Sequence, residues 1–131
     1  MADFSIALFD RLHDAGWLRL GTEWRGERVA IESFPTHAWR TLGFTPLAGK
    51  KRTTNIEPWQ VWLEANYLGA SLGQVTHDEL QAVVAGLAGL QMLDGGVEAV
   101  VRCGHPPHIE RGVWREGYIV SPRPNGHRDL P

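Results

Sequence analysis

Four groups of residues could do chemistry by type and spacing. Cys103, His105 and His108 form a Cys-x-His-x-x-His pattern. A thiolate and two imidazoles are zinc-type donors, with Glu110 or His127 available as a fourth group. The spacing matches no zinc motif, and a surface loop with incidental histidines, stiffened by Pro106-Pro107, is the simpler account. Lys50-Lys51-Arg52 is a run of cations that could contact phosphate, or a solvated charge run. Asp78 and Gln81 stand one turn apart on the same side of an expected helix. An acid in that first turn also has a purely structural use, against the helix dipole. Trp59, Trp62 and Tyr67 offer flat rings for core packing or, less simply, for stacking on bases.

The elements that must position these residues can be read from periodicity. Thr76 followed by Glu79 is a capping-box start. Leu80, Val83, Val84, Leu87 and Leu90 recur at helical spacing, so a central amphipathic helix is expected over 76–93, stopped by Asp94-Gly95-Gly96. Ala82, Ala85, Gly86 and Gly89 give it a second face of small residues. Gly costs about 1 kcal/mol relative to Ala inside a helix, so that face is expected to meet another element closely. A first helix is expected over 5–15, ending at Gly16. A strand begins near Trp17, and Arg25-Gly-Glu27 reads as a hairpin turn into a second strand, Val29 to Phe34. Pro35 ends that strand, and a short helix runs to Leu42 before Gly43. Residues 44–56 read as a loop. Glu57-Pro58 opens a further helix that ends near Gly69. Val97 to Cys103 reads as a strand, 104–116 as a loop, and Gly117 to Val120 as a last short strand. Helices alternating with few strands place the chain in the α/β class.

Composition bounds the functional classes. The chain has 131 residues, 43% hydrophobic and 21% charged, with a net charge of -2. That suffices for one globular domain with a single core. The balance lacks the overall basic signature of a nucleic-acid binder, although a local basic patch is compatible with it. No uninterrupted apolar run approaches the length of a membrane span, so no membrane contact is expected. A lone cysteine, Cys103, points to a cytoplasmic setting. Six Trp is a high number, and a surplus of large aromatic surface suits an interface.

Three segments taken in order resemble a known family. The first is Val29-Ala-Ile-Glu-Ser-Phe-Pro-Thr-His-Ala-Trp-Arg-Thr-Leu-Gly43, a strand followed by a short helix. The second is Asp78-Glu-Leu-Gln-Ala-Val-Val-Ala-Gly-Leu-Ala-Gly89. The third is Glu116-Gly-Tyr-Ile-Val-Ser-Pro122. Their order and spacing are similar to domain of unknown function 429, a family of ribonuclease H-like nucleases. The resemblance implies carboxylates that hold Mg²⁺ or Mn²⁺ for in-line phosphodiester hydrolysis. By this resemblance Glu32 and Asp78 are the catalytic and metal-binding candidates, with Asp94 a distant third. Lys50, Lys51 and Arg52 are then candidates for contacts to a nucleic-acid substrate. The family carries Asp where this chain has Gln81. It also opens with an Asp-bearing strand, and has a later one, that find no counterpart here. The expectation is therefore the C-terminal portion of a ribonuclease H-like three-layer arrangement lacking its N-terminal strands. Residues 1–122 would form it and 123–131 a disordered tail. The nuclease activity would be weak or absent. The alternative is a non-catalytic α/β interaction module that completes its sheet as a homodimer, with a partner, or against a missing N-terminal portion.

Overall fold

In the computed structural model, which describes residues 2–21, 23–53, 55–115 and 117–124, helix and strand are mixed. The helices are α1 (Ala2–Asp14), α2 (Pro35–Leu42), α3 (Glu57–Leu63) and α4 (His77–Gly95). The strands are β1 (Leu18–Arg19), β2 (Val29–Ala30), β3 (Val100–Gly104), β4 (His108–Glu110), β5 (Val113–Arg115) and β6 (Tyr118–Pro122). The α/β class expected from the sequence holds at this coarse level, built on small sheets.

The capping box at the start of α4 forms as expected. Glu79 N–H donates to the Thr76 hydroxyl at 3.1 Å, and Thr76 N–H donates to the Glu79 carboxylate at 2.9 Å. The helix then runs two residues past the expected end. Its buried stripe is Leu80, Val84, Leu87, Ala88 and Met92, which follows the 3.6-residue period. Leu90 was expected on this stripe and is instead 59% exposed. It lies a further turn round the helix, on the side of Gly86 and Gly89.

This one stripe serves two cores. Leu80, Val84 and Leu87 pack with Ala38, Trp39 and Leu42 of α2, Leu47 and Leu63. Phe44 stacks on Trp62 with ring centroids 4.4 Å apart, and Trp39 and Tyr67 flank Trp62. Ala88 and Met92 pack with Leu20, Val100 and Val120. Fully burying a side chain of this size contributes about 1.5–3 kcal/mol, and α4 supplies such residues to both cores. By length and apolarity, His77–Ala99, with mean hydropathy 1.3, is also sufficient to cross a membrane. The stretch is not an uninterrupted apolar run, because Gln81, Gln91 and several Gly and Ala residues break it without much lowering its average.

The strands depart from expectation in four ways. β1 and β2 pair parallel, Leu18 with Val29 and Arg19 with Ala30, so the intervening segment is a crossover connection rather than a hairpin turn. β2 is two residues long. Beyond it Glu32 makes an isolated parallel bridge to Ile119, with Val120 N–H donating to the Glu32 carbonyl at 2.8 Å. That bridge joins β1–β2 to the antiparallel pair β6–β3, registered Val100 to Pro122 through Gly104 to Tyr118. The expected strand start at Val97 is a 3₁₀ turn, Gly96–Ala99. A Cβ on Gly95 would come within 2.9 Å of the Ala99 Cβ, so glycine lets this turn close against the end of α4.

The fourth departure is a hairpin, β4–β5, inside the segment expected to be a loop. Its turn is Arg111-Gly112 with φ of 53° and 78°, positive at both central positions as a tight two-residue hairpin requires. At its base Gly117 passes against the backbone of His105, Pro106 and Pro107 so closely that a Cβ would collide with it. Arg123 lies at the start of the expected tail, yet it is tied to α4. Its N–H donates to the Gln91 side chain at 2.7 Å, and its guanidinium reaches Val100 O at 3.1 Å. Residues 125–131 lie outside those described.

Candidate functional site

Asp78 occupies the first turn of α4, as expected, and meets a partner at once. Lys50 Nζ donates to Asp78 Oδ2 at 2.8 Å. This hydrogen bond, together with the lysine charge and neighbouring His77, holds the Asp78 carboxyl below the ordinary aspartate range. His77 itself turns inward, its Nε2 2.6 Å from Ala48 O. The candidate metal ligand and one candidate phosphate contact thus neutralise each other. Both side chains are largely exposed, 70% and 65%, so the pair is a weak surface tie between the 49–53 turn and α4. Lys51 and Arg52 are exposed on that same turn, which Arg52 N–H and Thr53 N–H close onto Gly49 O.

Glu32 lies elsewhere. It is half-buried and shares a cavity of about 10 Å³ with Arg19, Pro107 and Tyr118, room for at most one water. Arg19 in turn pairs with Asp10 of α1. The Glu32 carbonyl is bonded to Val120, which packs on Ala88 and Met92. Asp78 lies ten residues before Ala88, about 15 Å earlier along the helix axis at 1.5 Å per residue. The two carboxylates therefore have separate surroundings that share no residue. Among the described residues no three His, Cys, Asp or Glu side chains gather where they could hold a metal ion. Hard cations want several oxygen ligands at once, so the donor set does not fit Mg²⁺ or Mn²⁺.

The other candidates are spoken for or scattered. Gln81, the position where the resembled family carries Asp, accepts from the Trp39 indole N–H at 2.8 Å and donates to Leu47 O at 3.4 Å. Trp39 is fully buried, so Gln81 satisfies a polar atom that would otherwise be stranded in the core. Cys103 is exposed at the end of β3. His108 Nε2 lies 3.7 Å from Glu110 Oε2 on the hairpin, and its Nδ1 is 3.3 Å from Pro106 O. His127, the other candidate fourth donor, lies outside the described residues. Asp94 is exposed in the last turn of α4. Trp59 and Trp62 pack, partly buried, against the first core, and the Trp59 indole N–H donates to Thr45 O at 2.8 Å.

Two features escaped the sequence reading. His37 Nδ1 lies 2.6 Å from Ser121 Oγ, the distance at which a base can activate a nucleophile. Ser121 is fully buried, however, so no substrate reaches it; the bond pins α2 to β6. The second feature is a groove of about 460 Å³ beside the outer face of α4, a size typical of ligand sites. Trp17, Trp24, Val29 and Ile31 form one wall; Gly86, Gly89, Leu90, Met92 and Leu93 form the other. Trp24 is held by its indole N–H on Glu27 O at 2.7 Å. Arg28 lies over the Trp17 ring, 5.5 Å from its centroid, within cation–π range. Glu27 and Arg28 are exposed at the rim. The small-residue face of α4, expected to meet another element closely, instead stands open at this groove, with nothing within 4 Å of a Cβ built on Gly86 or Gly89; nothing local in the sequence links Trp17 and Trp24 to it.

No family model, curated protein or solved structure matches this chain.

Proposed function

We propose that the chain is a non-catalytic α/β interaction module whose working surface is the groove between α4 and the segment from Trp17 to Ile31. The observation that carries this reading is the outward apolar face of α4. Leu93 is 75% exposed and Leu90 59%, across the groove from Trp17 at 37%. A contiguous apolar surface with aromatic walls and a charged rim is the anatomy of an interface.

The nuclease alternative has less support. Asp78 is already paired with Lys50, Gln81 is committed to Trp39, and Glu32 stands apart from both. The ribonuclease H-like arrangement suggested by the resemblance calls for a wide central sheet. The largest strand network described is β1–β2 joined through Glu32 to β6–β3. Lys51 and Arg52 alone make a thin basic patch for nucleic acid. The lone, exposed Cys103 suits a reducing, cytoplasmic setting.

The test is a cleavage assay on single-stranded DNA, single-stranded RNA and branched DNA with Mg²⁺ or Mn²⁺. The expected result is no turnover above that of a Glu32→Ala/Asp78→Ala double variant. Cleavage by the wild-type chain that the double variant loses would restore the nuclease reading.

A further inference from the structure

The outward face of α4 carries glycine and leucine at positions whose spacing is unchanged by reversal, with each glycine exchanged for a leucine. Gly86, Gly89, Leu90 and Leu93 lie within one stripe at helical spacing. Nothing comes within 4 Å of where a Cβ would stand on Gly86 or Gly89, so both are open hollows. Leu90 and Leu93 project beside them. If two such helices cross antiparallel about a two-fold axis between positions 89 and 90, Leu93 of one copy meets Gly86 of the other, and Leu90 meets Gly89. Each projection then finds a hollow, and the register follows from the sequence alone. Side chains seated in gaps of a facing helix are the usual basis of close helix packing.

The rim adds an independent constraint. Glu27 and Arg28 are adjacent, opposite in charge and both exposed. A two-fold interface is self-complementary: if residue i meets residue j, then j meets i. Two copies can therefore set Arg28 against Glu27 twice, without like charges facing each other. A purely acidic or purely basic rim would repel its own copy.

We infer that the occupant of this groove is a second copy of the chain, paired through antiparallel α4 helices, with Glu27 and Arg28 matched reciprocally across the axis. This rests on the interaction-module reading and names its partner.

Light scattering over the micromolar range should give twice the 14.6 kDa chain mass. Leu93→Glu and Gly86→Leu should each weaken self-association about tenfold or more, with circular dichroism showing an unchanged fold. Gly86 opens outward, so a larger side chain there fits the folded monomer. Glu27→Arg and Arg28→Glu should each be monomeric alone, because every rim contact becomes a like-charge pair. Mixed together, they should recover a heterodimer, because both contacts become attractive again. A mass of 14.6 kDa throughout the range overturns the inference, as does a dimer indifferent to Leu93→Glu and Gly86→Leu. Failure of the mixed rim variants to pair overturns it too. A monomer that binds phosphatidylcholine vesicles through Leu93 overturns it in favour of a bilayer. None of these outcomes depends on the cleavage assay, so failure of the dimer and failure of the non-catalytic reading can be told apart.

Discussion

Gln81 illustrates what one residue means with and without its surroundings. By resemblance it is a metal-ligand position that has lost its charge. In the fold its amide bridges the Trp39 indole and the Leu47 carbonyl. Gln81→Leu should leave that buried N–H without a partner and cost about 1–3 kcal/mol, read as a lower urea midpoint at unchanged slope. A variant as stable as the wild type would show that the bond contributes nothing. Gln81→Asp, a shorter side chain, should likewise destabilise rather than create a metal site; calorimetric titration with Mn²⁺ checks this. The capping box of Thr76 and Glu79 was legible because its partners are three residues apart. The partner of Gln81 was not, because it comes from the docking of α2 on α4, forty-two positions away.

Among the elements, the segment after α3 gives the clearest acid sensitivity. The helix widens into a π-helical turn, Glu64–Leu68. There the Glu64 carboxylate accepts from Leu72 N–H at 2.6 Å and Gln60 Nε2 at 3.0 Å. These bonds, the backbone one foremost, lower its pKa below the ordinary glutamate range. A depressed carboxyl contributes stability above its unfolded value and loses it as pH falls through the folded one. The stability difference between wild type and Glu64→Gln should therefore be largest near neutrality and shrink on the acid side of the ordinary glutamate range. A difference that stays constant with pH would refute this. At the base of the β4–β5 hairpin, Gly117→Ala should destabilise by about 1–3 kcal/mol, since the new methyl meets the backbone of residues 105–107, which cannot yield; thermal melts measure it. The helices were largely legible because each has a period and a cap or stop signal. The hairpin was not, since its turn places Arg111, a residue without the usual preference for positive φ, beside Gly112.

At the scale of the whole molecule, α4 is, among the described residues, the one element that gives buried side chains to both cores. Its loss would strip Trp39 and Leu63 on one side and Val100 and Val120 on the other. The two halves should therefore unfold as one: near-ultraviolet dichroism from the Trp39–Phe44–Trp62 cluster and far-ultraviolet dichroism from all helices should give coincident urea transitions. Two separated transitions would show that each core stands alone. The α/β class followed from the alternation of helical and strand signals. The parallel β1–β2 pairing did not, because strands of two residues carry almost no periodicity and their partners are fixed by the chain's path. The separation of Glu32 from Asp78 was equally invisible, because it depends on which end of α4 each strand approaches.

The placement of Trp17, Trp24, Trp39, Trp59 and Trp62 also gives the protein a built-in optical gauge. Trp39 is sealed in the first core, whereas Trp17 stands open at the groove beside half-exposed Trp24. Emission from this second pair should lie to the red and yield to acrylamide, while the core indoles stay bright and blue. Whatever settles into the groove should darken neither set; it should shield the red one from the quencher, and so announce its arrival without any label.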